Sequence, residues 1–335
     1  MNEPEGRIRY HSQKARFGRK RSRSIKRPLC VFCSVLLVLV VAKLEWNSCA
    51  RILGSAAGLA SHLGGRRPLQ HVHLNKKALE SGQLRLKSEA AVVLDTKTEE
   101  VLFTKNMEQQ LPIASLSKLM SVLVFLECKP SLDDSETITK QDAEKSGFAD
   151  LRVGETLILR DLLHACLMSS SNRAARALAR ASGMPSSAFV KRMNRKAREL
   201  GLENTFFLEP TGLSEENRST ALDCAKLLYF ALQDSTIGSI SGKTAHRFVS
   251  LDRTKRVHQI RNTNRLLFSS KNVKGGKTGY NGASGWCLVV MVEGEDGKEV
   301  VAVVLGAPDK FTRYKDIRSM VEWCMPTNKK PSRKS

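Results

Sequence analysis

Two short apolar runs near the C-terminal end constrain this chain most. "WCLVVMVE" lies within 285–293, and a second valine-rich run covers 299–306. Both are β-branched and bounded by Gly and charged residues, so they read as strands. A third strand is expected at 273–279, just before them. At the other end, "AAVVLDTKTEEVLFTKN" (90–106) reads as two strands around a turn, Ala91–Asp95 and Glu100–Thr104. The middle has helical periodicity instead. Helices are expected at 115–127, in two stretches of 159–182 interrupted by serines, at 186–201 with a Gly stop, and at 219–234 with Ser219 as the cap. A closing helix is expected at 313–325. Strands at both ends of a helical middle imply an α+β chain. Its one sheet is mainly antiparallel, flanked by helices, with a helical subdomain inserted. No internal repeat is present.

The 335 residues carry a formal net charge of +22. That length fits one large or two small domains. The charge points to an anionic neighbour: membrane headgroups, nucleic acid or an anionic polymer. Much of it lies in residues 1–28, a basic run without periodicity, read as a cytoplasmic segment. Leu29–Ala42 follows, apolar throughout. It is shorter than the roughly 20 residues of a spanning helix. Residues 29–50 are therefore a signal peptide, with Ser48-Cys49-Ala50 as a small-x-small cleavage site, or a retained signal anchor. In both cases the remainder is exported, to a periplasmic or other extracytoplasmic space. If 29–42 is retained, it tethers the chain to the inner membrane. Residues 51–87 read as a linker, 88–325 as the folded domain, and 326–335 as a basic tail.

Five cysteines lie beyond residue 50, an odd number at wide spacing. Most sit in apolar periodic runs, where a free buried thiol is the default. No zinc pattern occurs, and His71 and His73 lack further ligands. Only four Tyr and three Trp occur, with no interleaving of basic and aromatic residues, which speaks against nucleic acid.

Three short motifs carry chemistry. "VKGGKTGY" has the look of a phosphate loop, but that pattern needs glycine where Lys271 stands, and a strand follows instead of a helix. Lys277-Thr278-Gly279 is better read as a strand segment facing a cleft. Lys277 and Thr278 offer donors to a carboxylate, and Gly279 allows a ligand backbone to approach closely. Ser115-Leu-Ser-Lys118 puts a hydroxyl and an amine one helical turn apart. Ser115 is then near a helix N-terminus, where free N–H groups favour a developing oxyanion. Lys118, among Leu116, Leu119 and Met120, has the desolvated setting of a general base. Ser170-Ser171-Asn172, if extended, points Ser170 and Asn172 the same way.

In this order, S-x-x-K, S-x-N and K-T-G resemble the signature of penicillin-binding proteins and serine β-lactamases. The segments "LPIASLSKLM", "LMSSSNRAARALA", "LGLENTFFLEPTGL" and "KGGKTGYNGASGWCLVV" are similar to the low-molecular-mass D-alanyl-D-alanine carboxypeptidases and endopeptidases. "MSSSNRAA", "FVKRMNRKA" and "EPTGLS" look closest to the endopeptidase subgroup. The resemblance spans roughly 88–325 and implies a β-lactamase/DD-peptidase-like fold.

It also implies roles. Ser115 attacks a D-Ala carbonyl, Lys118 takes its proton, Ser170 relays a proton to the leaving nitrogen, and Asn172 bonds Lys118 and the substrate amide. Lys277, Thr278 and Gly279 hold the terminal carboxylate region, and the N–H groups of Ser115 and Tyr280 form the oxyanion hole. No cofactor or metal is implied. The partners are peptidoglycan stem peptides, with β-lactam antibiotics as covalent inhibitors. The expected activity is serine-type D-Ala-D-Ala carboxypeptidase. The alternatives are a D-Ala-D-Ala endopeptidase that cuts cross-links and a class A-like β-lactamase using Glu209 on the deacylating water. A non-catalytic wall-binding protein would have no use for the Ser–Lys pair. Many relatives add a β-sandwich domain and a C-terminal amphipathic anchor. This sequence stops soon after its closing helix, so any membrane attachment is expected to be N-terminal. Many relatives also differ at Arg173, which is assigned no role.

Overall fold

A six-stranded sheet carries helices on both faces. The computed structural model describes Leu69 and residues 72–79, 84–144, 146 and 150–325. Residues 1–28, the segment 29–50, most of 51–87 and the tail 326–335 lie outside them. Among the described residues, no helix is long and apolar enough to cross a membrane.

In chain order, β1 (His73–Leu74) and the short α1 (Lys76–Leu79) precede the hairpin β2 (Ala90–Asp95) and β3 (Glu100–Lys105). β4 (Leu111–Pro112) leads through a 3-10 turn at Ala114–Leu116 into α2 (Ser117–Glu127). The helical part runs through β5 (Ser135–Thr137), α3 (Lys140–Ala143), β6 (Thr156–Ile158), α4 (Leu159–Met168), α5 (Asn172–Ala181) and α6 (Ser186–Glu199). β7 (Arg218–Ser219) pairs with β4 and is followed by α7 (Ala221–Ala231) and α8 (Ser235–Ser241). The hairpin β8 (Ala245–Val249) and β9 (Val257–Arg261) and the turn α9 (Leu266–Ser269) lead to β10 (Val273–Asn281), β11 (Gly285–Glu293) and β12 (Glu299–Ala307). α10 (Lys310–Cys324) closes the chain.

The sheet order is β1-β3-β2-β12-β11-β10, antiparallel except for the β1–β3 pair. This is the α+β, mainly antiparallel arrangement expected from the sequence. Period-two geometry explains why the strands are apolar on both faces. Val289, Met291, Val301, Val303, Val92 and Leu94 point into one core with α2, α4 and α7. Their neighbours Leu288, Val290, Val300, Ala302, Ala91 and Val93 point into a second core with Tyr314, Ile317 and Met320 of α10. The sheet is thus a filled middle layer.

Three boundaries differ from expectation. The segment read as linker contributes β1, whose backbone pairs with the β3 edge through His73 N–H to Glu99 O (3.2 Å) and Asn75 N–H to Val101 O (3.0 Å). Leu69 and Ala78 are buried in the first core, so the folded unit starts before residue 88. α7 is capped by Thr220, whose hydroxyl accepts from Asp223 N–H at 3.0 Å, while Ser219 belongs to β7. α10 starts at Lys310 because Asp309 accepts from the N–H groups of Phe311 and Thr312, ahead of the apolar periodicity. Four of the five cysteines beyond residue 50 are buried, as expected of structural thiols.

Candidate active site

The turn that carries Ser115 is held in a strained shape. Ala114 has φ +46°, followed by Ser115 and the first turn of α2. Gly212 (φ +82°) packs directly on it: a Cβ there would lie 1.9 Å from Ala114 O, so only glycine fits. Pro112 sits in β4 and not in the helix start. Ser115 does not cap α2; the position before the helix proper has no side-chain cap.

One turn on, Lys118 is fully buried. Its Nζ lies 2.9 Å from Ser115 Oγ, 2.7 Å from Asn172 Oδ1 and 2.5 Å from Thr211 O. Burial brings its pKa down to about 8, with Cys166, Glu209 and Asp150 pulling it back up. An ammonium here donates to three oxygens. The neutral amine keeps two donors, for Asn172 and Thr211, and turns its lone pair to the Ser115 hydroxyl.

Ser170 and Asn172 are not on an extended stretch. They form the elbow between α4 and α5, with Ser170 at φ +64°. Ser171 is the cap of α5, accepting from Ala174 N–H at 3.1 Å. A cap and a left-handed residue therefore do what strand alternation was expected to do. Ser170 Oγ accepts from Lys277 Nζ at 2.8 Å. Asn172 Nδ2 donates to Ser146 O at 2.9 Å, which fixes its carbonyl toward Lys118. Arg173, assigned no role from the sequence, braces the same loop through Ser146 Oγ (3.0 Å) and Leu151 O.

Lys277, Thr278 and Gly279 lie on β10, the sheet edge beside the Ser115 turn. Lys277 is buried, and burial with the nearby Lys118 holds its pKa well below the lysine range. Thr278 Oγ1 is 2.7 Å from Thr263 Oγ1. A Cβ on Gly279 would lie 2.8 Å from Ile113 O and 3.3 Å from Ser115 N. The close approach expected for a ligand is therefore made by the Ser115 turn itself. It also brings the peptide joining Gly279 to Tyr280 beside the Ser115 amide. Tyr280 is 55% exposed, stacked on Trp286 with centroids 4.0 Å apart.

Sequence reading missed the supports. Glu209 turns its carboxylate into its own loop. Its carboxylate accepts from Thr211 N–H (2.7 Å) and Oγ1 (2.6 Å), Gly212 N–H (2.5 Å) and Ser214 N–H (3.4 Å). It shapes the loop that presents Thr211 O to Lys118. Asn217 ties that loop to α2 by donating to Ser117 Oγ (3.0 Å) and Glu209 O (2.8 Å). Arg313 of α10, buried under Trp286, donates to Gly279 O and Cys287 O, each at 3.3 Å. The spacing of Glu209, Thr211 and Gly212 within "EPTGL" was a usable signal; nothing local marked Arg313.

Among the described residues, Asp161, His164 and His246 have the spacing of metal ligands. They suit a cation poorly, because His164 Nε2 faces the Lys243 amine at 3.3 Å and the two rings stack at 3.6 Å. His73 faces Glu100 at 3.6 Å, and His71 lies outside the described residues.

Residues 76–309 match the family described as D-alanyl-D-alanine carboxypeptidase, peptidase family S11. The chain is 38% identical over 244 residues to a D-alanyl-D-alanine endopeptidase of Pseudomonas aeruginosa, covering 72% of this chain and 78% of that one. It is 35% identical over 257 residues to a D-alanyl-D-alanine endopeptidase of Escherichia coli, covering 76% and 82%. A D-alanyl-D-alanine carboxypeptidase of Bacillus subtilis is 31% identical over 72% of this chain and 63% of that one. The solved Streptomyces K15 DD-transpeptidase superimposes with TM-score 0.68 at 28% identity, over 72% of this chain and 98% of that one. By the match over 76–309 and these relatives, the chain belongs to the D-alanyl-D-alanine carboxypeptidase family S11.

Proposed function

We propose that this chain is a serine D-Ala-D-Ala peptidase acting on peptidoglycan stem peptides through an acyl-enzyme at Ser115. The observation that carries this reading is the junction at Lys118 Nζ, where a buried amine with its pKa brought down to about 8 meets the Ser115 hydroxyl, Asn172 and Thr211 O.

The neutral Lys118 amine takes the Ser115 proton as Oγ bonds to the D-Ala carbonyl carbon. The oxyanion accepts from the N–H groups of Ser115 and Tyr280, each worth about 3 kcal/mol of barrier. The C–N bond breaks as Ser170, itself hydrogen-bonded by Lys277, passes its proton to the leaving nitrogen and takes the proton held by Lys118 in its place, which returns Lys118 to the neutral amine. Thr278 and Lys277 hold the terminal carboxylate. Water then adds to the ester as the neutral Lys118 takes its proton, and the C–O bond breaks as Lys118 returns that proton to Ser115 Oγ.

Two leaving groups fit this chemistry: free D-Ala for a carboxypeptidase, and the cross-linking residue of a second stem for an endopeptidase. The endopeptidase reading is favoured by one observation. The relatives at 35% and 38% identity are endopeptidases, while the Bacillus carboxypeptidase is at 31%. The engagement of Glu209 by four donors within its own loop speaks against a class A-like β-lactamase. β-Lactams fit as covalent inhibitors that acylate Ser115. Because the substrate lies outside the cytoplasm, we also place the domain in the periplasm or another extracytoplasmic space, with 29–50 as the export signal or anchor.

Intact-mass analysis after incubation with benzylpenicillin tests the reading. One adduct, absent in Ser115→Ala, is expected. An equal adduct on the alanine variant would place the nucleophile elsewhere.

A further inference from the structure

The hairpin β8–β9 is pinned by its inner face and bare on its outer one. Inward, His246 Nε2 meets Asp161 Oδ1 at 2.9 Å, and His258 Nε2 meets Glu155 Oε1 at 2.5 Å. Phe248 stacks between these imidazoles, 5.8 Å from His246 and 4.7 Å from His258. The strands pair only with each other among the described residues.

The outward positions combine two properties that rarely sit together on a free surface. Val249 and Val257 are cross-strand partners, 39% and 52% exposed, and Leu251 at the tip is 47% exposed. Cations surround them. Arg247 and Arg261 share the outward face, and Arg253 and Lys255 are exposed at the tip. Asp252 is the only acid from 243 to 274, against nine Lys and Arg. Its carboxylate is turned into the tip, accepting from Thr254 N–H (2.8 Å) and Oγ1 (2.5 Å).

We propose that this outer face and tip dock on an anionic bilayer. Val249, Leu251 and Val257 enter the boundary between headgroups and acyl chains, and Arg247, Arg253, Lys255 and Arg261 pair with lipid phosphates. Charge complementarity demands an anionic partner. The exposed aliphatic side chains choose among anionic partners, because they gain free energy only where water is excluded by an apolar phase. A nucleic acid or a hydrated anionic glycan offers no such phase, and the tip has no aromatic ring for base stacking. β9 continues into Thr263, whose hydroxyl contacts Thr278. A docked hairpin therefore sets the orientation of the cleft against the lipid surface.

The test uses the full chain carrying Leu251→Trp, with the parent protein as the background for Trp46, Trp286 and Trp323. Trp emission is read with vesicles of phosphatidylcholine alone and with added phosphatidylglycerol, then with brominated lipids. The expected result is a blue shift and quenching beyond the parent, confined to anionic vesicles and weakened by salt. Adding Arg253→Glu and Lys255→Glu should weaken this signal about 25-fold, at about fivefold per lost cation. Both variants should keep penicillin acylation, which reports an intact fold. Unchanged emission on anionic vesicles overturns the proposal. So does binding to an oligonucleotide or soluble polyanion that leaves the vesicle signal absent.

Discussion

Acylation of Ser115 should depend on pH through Lys118 as its general base. Burial lowers its pKa from 10.5 to about 8. Only the neutral amine can take the hydroxyl proton, so the sign is fixed: the rate rises as pH rises. The neutral fraction is about 1% at pH 6, about 10% at pH 7, half at pH 8 and about 90% at pH 9. The second-order rate of acylation by a fluorescent penicillin should therefore climb about 50-fold from pH 6 to pH 8 and level off above pH 9. A lysine in water would behave differently, with the rate still rising about tenfold per unit to pH 10. Rapid-quench gels over pH 6–10 measure the position of the plateau. A flat profile from pH 6 to 9 would remove Lys118 as the base. A tenfold rise from pH 9 to 10 would mean that burial does not depress its pKa.

Three substitutions probe the supports. Gly279→Ala puts a methyl 2.8 Å from Ile113 O, so β10 must move off the nucleophile turn; we expect acylation about 100-fold slower and a loss of about 1–3 kcal/mol in denaturant unfolding. Glu209→Gln should slow acylation by loosening Thr211 and leave the lifetime of the penicilloyl adduct unchanged, whereas a deacylating glutamate would show a longer-lived adduct and normal acylation. Arg313→Met leaves Gly279 O and Cys287 O without their guanidinium donor. About 2–4 kcal/mol of stability should be lost, seen as a lower melting temperature with weaker acylation.

The sheet was legible because period-two burial on both faces writes itself as unbroken valine-rich runs, and β11 and β12 carry no other pattern. Ser115 and Lys118 were legible because a helical turn brings i and i+3 together without help from the rest of the chain. Ser170 and Asn172 were found by type but with the wrong backbone, since a left-handed serine followed by a cap is not distinguishable in sequence from an extended polar stretch. The hairpin β8–β9 was hidden because its inward faces use His246, Phe248 and His258, whose stacking and ion pairing replace the usual aliphatic alternation. Glu209 stands out for its spacing only in the β-lactamase alternative; in the fold its carboxylate closes on its own loop. Arg313 depends on α10 packing across β12 and β11, a tertiary fact with no local trace. Capping decided the remaining boundaries, as Thr220 and Asp309 illustrate.

The central claim is that Ser115, activated by Lys118, opens D-Ala-D-Ala peptide bonds of the cell wall. The most direct test is mass analysis of purified muropeptides incubated with the protein and, in parallel, with Ser115→Ala. The account predicts that the active protein converts cross-linked dimers to monomers or removes one alanine from pentapeptides, and that the alanine variant does neither. No change with the active protein, or equal conversion by Ser115→Ala, would contradict it.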